Sequence, residues 1–225
     1  MSSQSRPERK SLVVLISGSG SNLQAIIDAT QDPSYPAHIS AVISNKADVK
    51  GLLRAQQAGI ATEVLSHNAF PDRDSYDKQL ATLIDAYQPD LVVLAGFMRI
   101  LTEGFVNHFS GRMLNIHPSL LPRYKGLNTH QQAIDNGDSV HGATVHFVTP
   151  DLDSGPLIIQ ASVPVSADDN ADSLASRVLE NEHLIYPKAI AWVATGRISM
   201  KNGIVCDNGT PLEAPIQFQA NSLTG

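Results

Sequence analysis

Asn115 and His117 stand two residues apart in the run Asn115-Ile116-His117-Pro118-Ser119-Leu120-Leu121-Pro122. If the run begins on a strand, both side chains point to the same face. An amide donor beside an imidazole suits the polarisation of one carbonyl oxygen. Pro118 and Pro122 restrict the chain just beyond them. A lone pair of this kind also fits a structural tie that holds a loop. A second candidate is Gly18-Ser19-Gly20-Ser21-Asn22. Between a strand and a helix it would form a phosphate site, because a helix start offers unpaired N–H groups and a positive dipole end. No Gly-Lys-Ser/Thr comes after it, so it is not a Walker A loop, and the third glycine of a dinucleotide fingerprint is missing. The plainer reading is a tight turn with Ser21 as helix cap.

Three weaker signals accompany these. Asp151-Leu152-Asp153-Ser154-Gly155-Pro156 puts carboxylates in a glycine turn. Next to a histidine such a group would orient the ring and favour its charged form; alone, it is an Asx turn. Gly96-Phe97-Met98-Arg99-Ile100-Leu101 is an apolar run with one arginine. It could wall a pocket for a flat ring, or simply be core. Glu182 falls on the same helical stripe as Val178 and Ile185, where a carboxylate must be paired or at a pocket edge. Cys206 has no histidine nearby, and Ser17, Ser19 and Ser21 do not form a G-x-S-x-G elbow. Neither a thiol nor an acyl-serine mechanism is expected.

The elements that would hold these residues emerge from hydrophobic period. Leu12–Ser17, Ile39–Ser44, Thr62–Leu65, Leu91–Ala95 and Met113–Ile116 read as strands. Asn22–Thr30, Gly51–Ala58 and Arg73–Tyr87, with Asp72 as cap, read as the helices between them. Such alternation predicts an α/β fold with a mostly parallel, doubly wound, Rossmann-like sheet. Asn128–Asn136 reads as a further helix. Gly142–Val148 and Pro156–Val163 read as antiparallel additions at the sheet edge. Asp172–Trp192 is a long C-terminal helix that Pro187 is expected to kink or break. A hairpin is expected around Asn202-Gly203. A single domain over residues 11–210 is expected, with residues 1–10 and 211–225 as flexible tails.

Composition narrows the classes. The chain has 225 residues, 42% hydrophobic and 17% charged, with a net charge of −6. That is enough for a self-standing core and argues against a protein built mainly for nucleic acid or an anionic membrane. One cysteine allows no internal disulfide, and the eight histidines lack an HExxH spacing, so no metal site is expected. No signal segment and no run of ~20 apolar residues is present, so a cytoplasmic protein is expected.

The strings LISGSGSNLQAII, ISNKAD, VVLAGFMRIL, LNIHPSLLPRYKG, HGATVHFV and DLDSGPLI together resemble the folate-dependent formyltransferase family. The Gly-Ser-Gly-Ser-Asn loop is similar to that of the branch acting on glycinamide ribonucleotide. The resemblance covers about residues 12–198. It implies formyl transfer from 10-formyltetrahydrofolate, used as co-substrate, to the amine of glycinamide ribonucleotide in purine biosynthesis. It implies Asn115, His117 and Asp153 as catalytic residues. Gly20, Ser21 and Asn22 would hold the phosphate, and Glu182, with Leu179, Glu180 and Asn181, would face the ribose. Arg73, Met98, Arg99, Ile100, Leu101, Asn115, Thr149, Pro150, Asp151, Leu152 and Asp153 would contact the folate. The partners would be these two small molecules, with no nucleic acid and no membrane, in a monomer or homodimer. Two alternatives stay open: a hydrolase releasing formate from the same folate, and a module that only senses a phosphorylated metabolite. The hydrolases usually carry an N-terminal regulatory domain, for which ten residues before the first strand leave no room.

Overall fold

β1 (Lys10–Ile16) shows how the sheet is built. Leu12, Val14 and Ile16 pack on one side, Val13 and Leu15 on the other, and all five are fully buried. A strand covered on both faces reads as a continuous apolar run, hence LVVLI. The computed structural model describes residues 8–218. After β1 come α1 (Ser21–Gln31), β2 (Ala37–Ser44), α2 (Lys50–Gln57), β3 (Ala61–Val64), α3 (Arg73–Asp85), β4 (Leu91–Leu94), α4 (Glu103–His108) and β5 (Met113–His117). The chain continues with α5 (Thr129–Asp135), β6 (Val140–Phe147), β7 (Leu157–Pro164), α6 (Ala171–Ala194), β8 (Ile198–Lys201), β9 (Ile204–Asp207), β10 (Thr210–Pro211) and β11 (Ile216–Phe218).

The main sheet has the order β11-β7-β6-β5-β4-β1-β2-β3. β3, β2, β1, β4 and β5 are parallel, while β6 is antiparallel to both β5 and β7. The expected parallel sheet with antiparallel additions is therefore observed. The chain runs outward from β1 to β3 and then returns to β4 on the other side of β1, so the strand order reverses between β1 and β4. A crevice opens beyond the carboxyl ends of strands at such a point. One face is covered by α1, α2, α5 and α6, the other by α3 and α4. Asp72 caps α3 as expected, accepting a hydrogen bond from Ser75 N at 2.7 Å.

Three expectations are corrected. Pro187 does not break the C-terminal helix: α6 is one continuous helix of 24 residues. The lost hydrogen bond and ring clash cost about 3 kcal/mol. The buried side chains of Ile185, Tyr186, Ala189 and Ile190 offset it, at roughly 1.5–3 kcal/mol for each large one. The start of the chain is ordered earlier than expected. Arg9 donates to the carbonyls of Thr30 and Ala37, and Lys10 opens β1 opposite Ala37. Residues 211–218 are not a loose tail, since Ile216–Phe218 joins β7 in parallel register and extends the sheet. Residues 1–7 and 219–225, also expected to be tails, lie outside the described residues. Helix α4 has no counterpart in the periodicity; its six residues are too short for a helical pattern to show. The Asn202-Gly203 hairpin is present, as β8 and β9 of a small three-stranded sheet with β10. Among the described residues no helix is long and apolar enough to cross a membrane.

Candidate active site

Leu114 and Ile116 of β5 point into the face under α1 and α6, so Asn115 and His117 point to the opposite face. In β6 the same rule sends Ala143, Val145 and Phe147 to the first face and Thr144 and His146 to the second. α3 and α4 cover that second face only over β1 and β4 and their neighbours. Beyond them it is roofed by the loop after β6. The space between is a cavity of about 590 Å³, within the usual range for small-molecule sites. Its walls include Phe97, Met98, Ile100, Leu101, Val148 and Leu152, with Asn115, His117, His146 and Asp153 at its polar end.

Both ring nitrogens of His117 face acceptors. Nε2 donates to Tyr124 O at 2.8 Å, and Nδ1 stands 3.4 Å from Asp153 Oδ2. Partners on opposite sides of the ring fix its orientation. Asp153 is held by Gly126 N, which donates to Oδ2 at 2.9 Å, and its own backbone is left-handed, at φ 47°. Asp tolerates that conformation better than most residues. Three neighbouring histidines are held towards the neutral form. Burial holds His146 below the ordinary histidine value, against the pull of its bond to Phe147 O and of Asp153. Burial, with His130 adding to it, pushes His141 down to about 4, and burial together with the charge of His117 lowers His130.

A neutral His146 has one tautomer here. Nδ1 donates to Phe147 O at 2.8 Å, which leaves Nε2 to accept from Asn115 Nδ2 at 3.2 Å. That contact turns the amide of Asn115 so that its nitrogen, not its oxygen, lies on the His146 side. Asn115 and His146 are directly opposite in the β5–β6 ladder. His146 is a site residue that sequence reasoning misses, although it lies in the string HGATVHFV. Strand period puts it on a face with Thr144; only the register shows that this face meets Asn115.

The expected folate-contacting segments, Met98–Leu101 and Thr149–Asp153, both line the cavity. Arg99 lies over the Tyr76 ring at 4.6 Å. Arg73 is not among the lining residues: it is exposed at the first position of α3. The structure therefore brings Asn115, His117 and Asp153 together, with both loops, and leaves Arg73 apart. Among the described residues no three of His, Cys, Asp or Glu are grouped as metal ligands.

The glycine loop forms a second locus. Gly20 is the N-cap of α1, left-handed at φ 71°, and no side chain caps the helix, so Ser21 is the first helical residue and not the cap. Unpaired N–H groups with no acidic residue in the first turn are the condition for anion binding. Asn22 Nδ2 donates to Glu182 Oε2 at 2.6 Å, joining α1 to α6. Leu179 lies one turn before Glu182 on the same side of α6. Glu180 is exposed, and Asn181 turns back on Arg177 O at 3.0 Å. A Cβ on Gly20 would stand 2.6 Å from Gly51 Cα. The missing side chain thus also lets α2 pack on the loop, and a bulky residue at 20 would disturb the fold as well as any bound anion.

Burial raises the Glu182 carboxyl above its ordinary value, and the Asn22 hydrogen bond reverses this only in part. A carboxyl raised in the folded state contributes stability that is present below the unfolded value and lost as pH rises through the folded one. Glu182→Gln keeps an acceptor for Asn22 without the charge. It is expected to be more stable than the wild type at pH 7.5 and to lose that advantage towards pH 4. Urea denaturation of both proteins across this range checks it; a gap that widens on acidification would count against it.

A family model described as "Formyl transferase" matches residues 10–190. The chain belongs to the formyl transferase family. It is 59% identical to the phosphoribosylglycinamide formyltransferase of Escherichia coli over 189 residues, 84% of this chain and 89% of that one. It is 46% identical to the protein of that name from Haemophilus influenzae, over 90% of this chain and 96% of the other. The solved phosphoribosylglycinamide formyltransferase of Coxiella burnetii superposes with a TM-score of 0.90 at 51% identity, covering 94% of this chain and all of that one. As a formyl transferase the chain keeps its cavity on the open half of the sheet face, with the glycine loop one strand away from its Phe97–Leu101 wall.

Proposed function

We propose that this formyltransferase moves the formyl group of 10-formyltetrahydrofolate to the amine of N1-(5-phospho-D-ribosyl)glycinamide, in the cytoplasm, as a step of purine biosynthesis. The observation that carries the reading is the polar end of the cavity, where the His117 ring lies between Tyr124 O and Asp153 and the Asn115 amide is held by His146. The apolar walls at Met98–Leu101 and Thr149–Asp153 suit the flat rings of a folate. The uncapped start of α1, at Gly20, Ser21 and Asn22, suits a phosphate, and the adjacent Glu182 suits the ribose hydroxyls.

These groups dictate the chemistry. The substrate amine forms a C–N bond to the formyl carbon, and the carbonyl π electrons move onto oxygen. The Asn115 amide gives one of its two N–H groups to His146 and donates the other to that oxygen as its charge grows, with the His117 ring beside it. Asp153 keeps the ring oriented. The C–N10 bond then breaks, the oxygen's electrons reform the carbonyl, and N10 leaves with one proton. The attacking amine has released one, so the net change is one proton moved from amine to N10. Holding the two substrates at neighbouring loci in near-attack geometry supplies much of the remaining rate.

The test is a formyl-transfer assay with the ribonucleotide, without it, and with its dephosphorylated form. Transfer is expected with the first, no turnover without it, and a KM at least about tenfold higher for the dephosphorylated form, since charge-assisted hydrogen bonds are lost. Formate release in the absence of an acceptor would instead mark a hydrolase. Equal KM for the two ribosides would remove the phosphate role from the glycine loop.

A further inference from the structure

Ser17 comes directly after β1 and stands between the two proposed substrate loci: Gly18 and the glycine loop are next in the chain, while its side chain turns to the cavity wall. Its hydroxyl donates to Asn45 Oδ1 at 2.6 Å and accepts from Met98 N at 2.8 Å. Both side chains are buried, Ser17 at 5% exposure and Asn45 at 2%. One hydroxyl thus joins the carboxyl ends of β1, β2 and β4 across the point where the strand order reverses. Neither Ser17 nor Asn45 lines the cavity. Further along the same wall the Arg99 guanidinium lies over the Tyr76 ring, and Thr102 N donates to Asp77 Oδ2 at 2.6 Å. Between these anchors Met98 and Ile100 are exposed to the cavity mouth.

We propose that Ser17, held by Asn45, is a positioning residue that sets the Met98–Leu101 wall of the folate pocket relative to the glycine loop. Without the hydroxyl, Met98 N and Asn45 Oδ1 lose their partner in a buried place, and the wall loses its anchor at the Met98 end. This rests on the folate reading of the cavity given above.

The experiment compares Ser17→Ala, Ser17→Thr and Asn45→Ala with Ser11→Ala. Ser11 Oγ pairs with Ser40 Oγ at 2.6 Å at the opposite end of β1, so it controls for loss of an ordinary β1–β2 hydroxyl contact. Two quantities are read: amide hydrogen exchange at Met98, and calorimetric affinity for a non-reactive 10-formyltetrahydrofolate analogue. In Ser17→Ala the Met98 amide is expected to exchange faster, while Ala95 N, bonded to Leu15 O, stays protected. Affinity for the analogue is expected to fall about tenfold, the effect of leaving a buried polar group unpaired. Ser17→Thr, which keeps the hydroxyl, restores both. Asn45→Ala moves both in the same direction and is non-additive with Ser17→Ala. Ser11→Ala changes neither. Unchanged Met98 exchange, or analogue affinity within twofold of wild type, in a folded Ser17→Ala protein would overturn the proposal. Failure of the wild type itself to bind the analogue would overturn the folate reading instead, and Met98 exchange would still report on the wall.

Discussion

His117→Ala lowers kcat for formyl transfer by about a hundredfold or more, the size expected when a group stabilising a developing oxyanion is removed. The reason lies in what the ring does at each stage. In the resting protein its two nitrogens are occupied by Tyr124 O and Asp153 Oδ2. The ring is therefore fixed before substrate arrives. Alanine removes the ring and leaves the buried Asp153 carboxyl without the partner that faces it. Asn115→Ala removes the N–H donor and lowers kcat in the same way. Asp153→Asn keeps the shape but not the charge and also lowers kcat. Affinity for both substrates should change much less than turnover, because these groups meet the transition state more strongly than the ground state. Single-turnover kinetics with calorimetry of each ligand makes the separation. A folded His117→Ala protein with near-wild-type turnover would remove the histidine from its role.

Gly155→Ala, a change of one methyl at a residue that does not line the cavity, is expected to cost about a hundredfold in kcat. A Cβ there would stand 1.7 Å from Phe147 O and 3.4 Å from His146 Nδ1. Phe147 O is the acceptor that fixes the tautomer of His146, and Phe147 N donates to Pro156 O of the same loop at 3.0 Å. The loop or the end of β6 must move. Either shift withdraws Asp153 from His117 or frees His146 from Phe147 O, and the Asn115 amide turns with it. Misplacement of a reacting constellation by about 1 Å carries a penalty of this order. Overpacking of the strand end also lowers stability, by roughly 1–3 kcal/mol. Gly104→Ala, in α4 and in open space, is the contrasting change. It is expected to leave kcat alone and raise stability by up to about 1 kcal/mol, since alanine favours a helix over glycine. Urea denaturation and steady-state kinetics of the two variants decide the matter; wild-type kcat in Gly155→Ala would show that the loop position is not what sets Asp153.

The sequence by itself determined the strands and helices that carry an apolar period, and with them the parallel core of the sheet. LVVLI and LVVL read as buried strands, and Asp72 as a cap of the helix after it. It also put Asn115 and His117 on one face, because strand side chains alternate, and it exposed the glycine loop as a helix start. The substrate roles came through resemblance to a family, since periodicity says nothing about what a pocket binds. What only the tertiary structure decided are the contacts between segments far apart in the chain. Asn115 meets His146 across 31 residues, and Asp153 reaches His117 because Gly126 N holds its carboxylate. Ile216–Phe218 is too short for a period to show, yet becomes a sheet edge once β7 offers its open hydrogen-bonding groups. Arg73, a folate contact by resemblance, is left exposed at the start of α3. Local pattern fixes which way a side chain points from its own element. Register and loop closure fix what it meets, and these depend on the free energy of the whole packed sheet.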